Sequence, residues 1–238
     1  MRMKIGILGP TEPEISPLLV KMINVKTAQR AMLTFHEGLY EGIEVVALHC
    51  GICKVNAAIA AQLLIDRFEV THIIVTGVAG AIDKSLKIGD TVVSTQVAYH
   101  DVDDEFLTQY HPHMKSSYFS ADAQLLSCFK RAVNDNGFRQ KILFGKMVTG
   151  EAFIVQNDRQ RIIEKFDPLC VDMETAGIAH VCFVNRIPYI AIRSMSDTAE
   201  HCGLDTFEEN CAQASRNSIE VIERALKELN LYTATNNE

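Results

Sequence analysis

The chain has 238 residues, of which 47% are apolar and 22% are charged, and its formal net charge is −7. This composition is ordinary for a folded globular protein and excludes collagen-like, coiled-coil and broadly disordered chains. The acidic surplus argues against nucleic-acid binding, which needs a basic face, and no apolar run approaches the length of a membrane span. The 7 cysteines are scattered and odd in number, which disfavours a disulfide framework. We therefore expect a cytoplasmic protein and an enzyme. Because the first residues, Met1–Gly6, run directly into a strand-like segment, we also expect no secretory leader.

Short apolar, β-branched runs alternate along the chain with longer segments of helical spacing. The strand candidates, in chain order, are Lys4–Leu8, Ile43–His49, His72–Thr76, Asp90–Tyr99, Ile142–Thr149, Leu169–Val171 and Pro188–Arg193. Strands that are apolar on both faces and interleaved with helices are typical of a parallel sheet covered by helices. The pattern therefore predicts an α/β fold with a largely parallel sheet.

Helical spacing is clearest in two segments. The first, between the second and third strand candidates, carries Val55, Ala58, Ile59, Gln62 and Leu63. The second is the last segment of the chain, where Asp205 as N-cap and Glu208 three residues later form a capping-box pattern. Its apolar stripe consists of Phe207, Cys211, Ala214, Ile219, Ile222, Leu226 and Leu229.

The remaining segments indicate a single domain. No linker, repeat or long charge run interrupts the chain, so we expect one domain over residues 1–232. The polar tail Thr233–Glu238 is expected to fray. The segment His100–Ser120 mixes acids, histidines and aromatics, and we interpret it as a long loop, which in a compact domain is often functional.

Carboxylates follow most of the strand candidates at the point where each strand ends. In an open α/β sheet, ligands bind outside the carboxyl ends of the strands. The segments at these ends are Gly9–Glu14, Gly77–Gly80, Gly150–Ile154, Asp172–Glu174 and Ser194–Asp197. Four of them carry acids, and Gly77–Gly80 reads as a small turn that lets backbone approach a ligand. Converging carboxylates suit acid–base chemistry on a polar small molecule, although acids at such junctions also serve as helix caps.

The same segments resemble those of the 5′-methylthioadenosine/S-adenosylhomocysteine nucleosidases, within the purine nucleoside phosphorylase-like superfamily. The matching segments follow the family's order along nearly the whole chain: Lys4–Gly9 with Glu14, Gly51–Ala58, Thr76–Gly80, Gly89–Asp90, Tyr99–Asp101, Gly150–Ile154, Val171–Glu174 and Arg193–Asp197. The resemblance implies a nucleoside phosphorylase-like α/β domain with a central mixed, largely parallel sheet flanked by helices. It also implies a cytosolic homodimer that needs no cofactor or metal and hydrolyses the bond between adenine and a 5′-thio-substituted ribose.

The resemblance assigns catalytic and ribose-binding roles to four residues. Asp197 would protonate or hydrogen-bond N7 of adenine, which makes the base a better leaving group. Glu14 would activate the water that traps the oxocarbenium-like ribose. Met173 and Glu174 would hold the ribose, with the Glu174 carboxylate accepting hydrogen bonds from the 2′- and 3′-hydroxyls.

The base and the 5′ substituent would be held by apolar side chains. By the same resemblance, Phe153 would stack on adenine and the Ile154 backbone would read its edge. Ile52, Phe207 and Phe106 would line the 5′-alkylthio pocket, with Phe106 reaching in from the other subunit. From the residues alone, Phe207 fits core packing as well as it fits pocket lining. Phe106 also fits a plain dimer contact.

Three residues near the expected pocket depart from the family pattern. Val78, which lies with Gly80 in the glycine segment that borders the substrate, replaces the usual Ser. Asp172, also expected beside the sugar, replaces the usual Glu, and Thr11 stands where a Met usually packs against the substrate. The departures leave both catalytic acids in place, but they leave the preferred 5′ substituent open.

Other motifs have simpler interpretations. Cys50 and Cys53 form a C-x-x-C pattern, but the further ligands of a zinc site are not evident, so we interpret the pattern as coincidence. His100, His111 and His113 are interpreted as loop histidines rather than metal ligands. The acidic run Asp101–Glu105 lacks the spacing and glycine of a calcium loop, and we expect it to be a solvated surface.

Two other functions compete with hydrolysis. A purine nucleoside phosphorylase would need arginines for phosphate at Gly9–Thr11 and Val75–Thr76, where this chain has none, and Glu14 would repel the anion. A catalytically weak nucleoside-binding relative would have lost its acid and base, which this chain retains. Among nucleosides, the candidates are methylthioadenosine, S-adenosylhomocysteine, 5′-deoxyadenosine and aminodeoxyfutalosine.

Overall fold

A computed structural model describes residues 3–134, 137–154, 156–198, 200 and 204–235. The strands are β1 (Lys4–Gly9), β2 (Ile23–Arg30), β3 (Leu33–Tyr40), β4 (Ile43–His49), β5 (His72–Val75), β6 (Val78–Ala81), β7 (Thr91–Tyr99), β8 (Tyr118–Ser120), β9 (Ile142–Thr149), β10 (Cys170–Asp172) and β11 (Tyr189–Asp197). The helices are α1 (Glu12–Leu19), α2 (Lys54–Phe68), α3 (Asp104–Gln109), α4 (Ala123–Val133), α5 (Gln156–Phe166), α6 (Thr175–Asn185) and α7 (Leu204–Thr235).

The strands form one mixed sheet. Its order is β2-β3-β4-β1-β5-β11-β6-β10-β9-β7-β8. The pairings of β1 with β4 and β5, and of β11 with β5 and β6, are parallel, whereas β2–β3, β3–β4 and β7–β8 are antiparallel. Strand β7 also pairs with β11, so β11, β6, β10, β9 and β7 close into a ring. The predicted mixed α/β architecture is thereby confirmed.

Helices cover both faces of the sheet because its strands are apolar on both faces. Alternate residues of a strand point to opposite faces, and in β4 Val45 and Ala47 join one buried cluster whereas Val46 and Leu48 join another. The first cluster is completed by α1, α4 and α7, and the second by α2 and α6. None of the helices in the described ranges is long and apolar enough to cross a membrane.

The predicted strands are all present, but the sequence interpretation missed β2, β3, β6 and β8. Every residue of β2 is exposed, so no apolar pattern marks it. The predicted glycine turn is largely a strand, since Gly77 alone has a positive φ, +140°, and β6 starts at Val78. Small residues let this short strand lie between β10 and β11.

The segment His100–Ser120 is not the long loop that the sequence predicts, because it contains α3 and β8. The Asp103 carboxylate accepts a hydrogen bond from the Glu105 N–H and caps α3, so part of the acidic run starts a helix. Asp101, which was expected to be solvated, instead forms an ion pair in which its Oδ1 lies 2.9 Å from the Lys54 ammonium.

The last helix also differs from the prediction at its start. Helix α7 begins at Leu204, so Asp205 lies in its first turn rather than at the N-cap. An acid in the first turn is still favoured by the helix dipole, which explains why the pattern resembled a cap. At the other end, α7 extends to Thr235, so the predicted tail Thr233–Glu238 overlaps its last residues, and residues 236–238 lie outside the described ranges.

Candidate active site

A cavity of about 260 Å³ lies where β1, β10 and β11 end, beside β6. Its lining consists of Pro10, Thr11, Glu14, Ile52, Val78, Ala79, Gly80, Ala152, Phe153, Ile154, Arg159, Val171, Asp172, Met173, Glu174, Ser196, Asp197 and Phe207. Of the site residues expected from the sequence, all but Phe106 are brought together here. The strand-end argument therefore located the cavity from segments far apart in the chain.

A fully buried arginine organises the acidic side of the cavity. The Arg193 Nε lies 2.9 Å from Asp172 Oδ2, its Nη2 lies 3.1 Å from Glu174 Oε2, and its Nη1 lies 3.8 Å from Glu14 Oε1. Removing Arg193 would leave these buried carboxylates without a compensating charge, which is strongly destabilising. Arg193 therefore fixes the carboxylates relative to one another.

Glu14 is held at both carboxylate oxygens by groups from separate segments. The Thr11 N–H and hydroxyl donate to Oε2 at 3.0 and 2.6 Å. The Val78 N–H donates to Oε1 at 2.9 Å. Burial raises the pKa of Glu14, against the lowering effects of Arg193 and these hydrogen bonds.

Two glycines allow the carboxylates to approach the backbone of β6. At Gly77, a Cβ would overlap both the Glu14 carboxylate and the Arg193 guanidinium, and φ is +140°. At Gly80, a Cβ would lie 3.0 Å from Asp197 Oδ2. Glycine is required at Gly77 by conformation and space together.

Asp197 is directed by an irregularity at the end of β11. Met195 pairs with Ala79 and Asp197 with Gly80, so Ser196 is an extra residue in β11. Such a bulge changes the direction in which a strand presents its side chains. The Ser196 hydroxyl donates to Asp197 Oδ1 at 2.9 Å, and burial raises the pKa of Asp197, opposed by this bond and by Arg159. The raised pKa favours the protonated form that a general acid needs.

Glu174 lies at the start of α6 and faces the start of α2. The Cys53 N–H donates to Glu174 Oε1 at 3.1 Å. Cys53 has φ 78° and ψ 161°, a region that is essentially restricted to glycine and costs on the order of 1–3 kcal/mol. Burial raises the pKa of Glu174 to about 7, although Arg193 acts in the opposite direction.

Asp172 lines the cavity, but other groups of the protein already occupy its carboxylate oxygens. Oδ1 accepts hydrogen bonds from the Thr149 hydroxyl and from the N–H groups of Glu174 and Thr175. Oδ2 accepts from the Thr175 hydroxyl and pairs with Arg193. These contacts suit a residue that orients Arg193 and the start of α6.

Aromatic and aliphatic side chains form another part of the lining. The rings of Phe153 and Phe207 meet edge to face, with centroids 6.4 Å apart. Phe207 lines the cavity and also packs against Val78, so the two interpretations of Phe207 both hold. Phe106, on α3, is 61% exposed and does not line the cavity of its own chain.

The C-x-x-C pattern and the loop histidines form no metal cluster. Cys50 and Cys53 are both free thiols. In the part of the chain that the structure describes, no group of three or more His, Cys, Asp or Glu side chains could hold a metal ion.

Sequence reasoning assigned no role to two arginines at the cavity. Arg193 could have been noticed, because it is a lone charge that ends an apolar strand candidate. Arg159, on α5, lines the cavity and acts electrostatically on Asp197. No sequence signal singles it out, since α5 contains several other charged residues.

Comparison with known proteins assigns the chain to a family. The model of the phosphorylase superfamily matches residues 4–227. The 5′-methylthioadenosine/S-adenosylhomocysteine nucleosidase of Bacillus subtilis is 37% identical over 234 residues, which span 95% of this chain and 100% of the relative. The nucleosidase of Colwellia psychrerythraea, solved in complex with adenine, superposes with a TM-score of 0.87 at 36% identity, covering 96% of each chain.

A second solved relative agrees. The nucleosidase of Streptococcus pneumoniae, solved with a transition-state inhibitor, superposes with a TM-score of 0.86 at 32% identity and covers 95% of this chain and 100% of the other. The resemblance noted in the sequence is thereby confirmed over nearly the full length. The chain belongs to the 5′-methylthioadenosine/S-adenosylhomocysteine nucleosidase family of the phosphorylase superfamily.

Proposed function

We propose that this protein hydrolyses the N-glycosidic bond of 5′-methylthioadenosine and S-adenosylhomocysteine, releasing adenine and the 5′-thio-substituted ribose. The observation that carries the proposal is the pair of buried carboxyl groups, Glu14 and Asp197, that different elements present to one cavity. An acid and a base separated by room for a water is the arrangement of inverting glycosidases. The adenine and the transition-state inhibitor bound by the two solved relatives support the same chemistry.

Asp197 is the proposed general acid. Adenine leaves poorly as an anion, so a proton or a strong hydrogen bond at N7 lowers the barrier to bond cleavage. Asp197 can hold that proton because burial raises its pKa. The Ser196 hydroxyl keeps the carboxyl oriented while the proton moves to the base.

Glu14 is the proposed general base. As adenine departs, the ribose acquires oxocarbenium character, and a water must be deprotonated as it attacks C1′. The Glu14 carboxylate accepts that proton. Its negative charge also stabilises the positive charge that develops on the ribose. Arg193, 3.8 Å from Glu14 Oε1, opposes the rise in the pKa of Glu14 and so favours its ionised form.

The remaining lining residues are proposed to hold the nucleoside. Phe153 and Ile154 both line the cavity. Phe153 stacks on adenine, and the Ile154 backbone forms hydrogen bonds to the edge of the adenine ring. Met173 packs against the ribose, and Ile52 and Phe207 contact the 5′-alkylthio group. An apolar 5′ pocket favours a thioether over a free hydroxyl or a phosphate.

Hydrolysis is distinguished from phosphorolysis by an adenine-release assay with and without inorganic phosphate. For methylthioadenosine and S-adenosylhomocysteine, we expect an unphosphorylated 5′-thio-substituted ribose as product, formed at a rate that phosphate does not increase. The nucleosides 5′-deoxyadenosine and aminodeoxyfutalosine are assayed in parallel. Arg193 is unsuited to phosphate because carboxylates already surround it. A phosphorylated sugar product would overturn hydrolysis, and absence of turnover would favour a nucleoside-binding protein.

Replacing Glu174 with Gln is expected to weaken nucleoside binding and to reduce the preference for ribose over 2′-deoxyribose. A hydrogen bond to a charged group contributes about 1.5–3 kcal/mol, or about 10- to 100-fold in affinity. Because burial raises the pKa of Glu174 to about 7, we also expect wild-type affinity to increase as pH rises through that value. Titration calorimetry with a ribonucleoside and its 2′-deoxy analogue at pH 6 and pH 8 measures both effects.

The matched control for this variant is Glu220→Gln, the same change on α7, where Glu220 pairs with Arg224. It should leave affinity and its pH dependence unchanged. A Glu174→Gln protein that kept full affinity and full ribose preference would show that another group binds the sugar hydroxyls.

We also propose that the protein is a homodimer. Large apolar side chains are exposed on α2 and α6, in the segment before α2, and on and directly after α3, namely Ile52, Val55, Ile59, Phe106, Tyr110, Phe183 and Val184. Helices α2 and α6 pack against each other, and exposed apolar side chains on such a pair are typical of a protein–protein interface. The family resemblance implies that Phe106 of a second copy reaches the 5′ side of the cavity, where Ile52 lies.

Val55→Asp is expected to convert the dimer to a monomer, because a charge would be buried between apolar side chains. Sedimentation velocity gives the mass, and the adenine-release assay gives the accompanying loss of activity towards 5′-thio substrates. Met32→Asp is the control, since Met32 is a fully exposed apolar residue between β2 and β3. A wild-type protein that sediments as a monomer at micromolar concentration would contradict the proposal.

A cytoplasmic location fits the same enzyme. The described thiols, Cys50, Cys53, Cys128, Cys170, Cys182 and Cys211, are all free. Free thiols persist in a reducing compartment. This supports the proposal that the enzyme acts on intracellular nucleosides.

A further inference from the structure

The two oxygens of Glu14 are held unequally. Oε2 accepts two hydrogen bonds from one residue, the Thr11 N–H at 3.0 Å and the Thr11 hydroxyl at 2.6 Å. Oε1 accepts one, from the Val78 N–H at 2.9 Å, and Arg193 Nη1 lies further away at 3.8 Å. An ionised carboxylate has about four acceptor positions, two on each oxygen. Thr11 therefore occupies Oε2, and the free acceptor position lies on Oε1.

We propose that Thr11 is a positioning residue that holds the general base in one orientation, with Oε1 as the oxygen that takes the proton from water. The inference rests on the proposed hydrolysis and adds a residue to it. Thr11 itself does not contact the reacting water in this proposal. It acts by fixing the Glu14 side chain and by making Oε2 the less basic oxygen.

The Val78 side of the Glu14 carboxylate is contacted by backbone rather than by a side-chain donor. The Val78 side chain packs against Phe207, Cys211 and Ala214, and its backbone N–H donates to Glu14 Oε1. The Thr11 hydroxyl is therefore the side-chain hydroxyl that holds this carboxylate, from the Oε2 side.

A helix-capping role is the alternative. Thr11 precedes α1 and forms a capping box with Glu14 at the third helical position. Loss of a capping hydroxyl lowers stability by about 0.5–2 kcal/mol but leaves the chemistry of the base unchanged. The test must therefore measure the ionisation of Glu14 as well as the rate.

Four ionisable groups lie within electrostatic range of Glu14, on the elements around it. Arg193 on β11 favours its ionised form, and a charged Glu174 before α6 opposes it. Cys50 after β4 and Cys211 on α7 also lie within electrostatic range, but burial raises the pKa of both thiols, so both stay neutral. Removing the Thr11 hydroxyl changes none of these groups directly.

The experiment compares Thr11→Val, which removes the hydroxyl at nearly constant volume, with Thr11→Ser, which keeps it. A hydrogen bond to a carboxylate stabilises the charged form, so we expect Thr11→Val to raise the pKa of Glu14 by about 1 to 2. Because the base acts ionised, the acid limb of the kcat/KM profile should move to higher pH by the same amount. We expect kcat to fall about 10- to 100-fold with KM within about twofold, since a misoriented catalytic group costs rate rather than binding. Thr11→Ser should retain the wild-type profile.

A second measurement does not depend on turnover. The carboxyl carbon of Glu14 is followed by ¹³C NMR during a pH titration and assigned by its absence in Glu14→Gln. An upward pKa shift in Thr11→Val, absent in Thr11→Ser, supports the proposal even if the protein proves not to be a hydrolase, so the two failures are distinguishable. The proposal is overturned if Thr11→Val titrates and turns over like the wild type, or if both variants lose activity and melting temperature equally.

Discussion

Replacing Asp197 with Asn is expected to lower adenine release by on the order of 10²–10⁴-fold or more, because the departing base then has no proton donor. Asn has nearly the same size, and it can still accept the Ser196 hydrogen bond, so the fold should be retained. Single-turnover measurements with excess enzyme isolate the chemical step, and circular dichroism checks the fold. Nucleoside affinity should change far less than rate, since the proton is needed mainly in the transition state.

The matched control is Asp83→Asn, the same change in a loop where Asp83 accepts a hydrogen bond from the Ser85 N–H. It should leave the rate unchanged. Activity of Asp197→Asn within a few-fold of the wild type would remove Asp197 from the mechanism. Arg159, which also lines the cavity, would then be the next candidate for the donor to adenine.

Glu14→Gln is expected to abolish hydrolysis while the protein still binds adenine nucleosides. Gln cannot accept the proton of the attacking water, and a base acts on the transition state rather than on the bound ground state. Loss of general base catalysis costs about 10²–10⁴-fold in rate. Turnover and titration calorimetry on the same preparation separate the two effects.

Glu12→Gln is the control because Glu12 is an exposed acid in the first turn of the same helix. It loses only the interaction with the helix dipole, which is worth about 0.3–1 kcal/mol of stability. If Glu14→Gln lost no more rate than Glu12→Gln, Glu14 would be a helix-start residue and the hydrolytic mechanism would lose its base. Loss of nucleoside affinity in a folded Glu14→Gln protein would likewise contradict a role confined to the transition state.

The position of the site was predictable because strand ends are visible in sequence. The run His72–Thr76 is apolar and β-branched, and the structure confirms a strand at His72–Val75. The acids that follow such runs meet at one edge of the sheet, so Glu14, Glu174 and Asp197 line one cavity. The exposed strand β2 was not predictable by this argument, because it presents no apolar face to the core.

The fine geometry depends on tertiary contacts that no local pattern encodes. The bulge at Ser196 exists because β11 pairs with β6, which lies far away in the sequence. The strained backbone of Cys53 is likewise held by its partner Glu174, 121 residues away. Asp172 was expected beside the sugar, whereas its bonds to Thr149 and Thr175 depend on how β9 and α6 meet.

Arg193 is outnumbered by the carboxyl groups that surround it, and this imbalance links ligand binding to proton release. Burial raises the pKa of Glu14 and brings that of Glu174 to about 7, so both carboxyls hold their protons to a higher pH than exposed carboxyls do. A ligand that carries a positive charge on its sugar ring replaces those protons as the balancing charge. We expect a neutral nucleoside to expel only the proton of Glu174, through hydrogen bonds from its sugar hydroxyls. The cavity therefore selects for charge on the sugar as well as for shape, and the two kinds of ligand differ in the number of protons that binding expels.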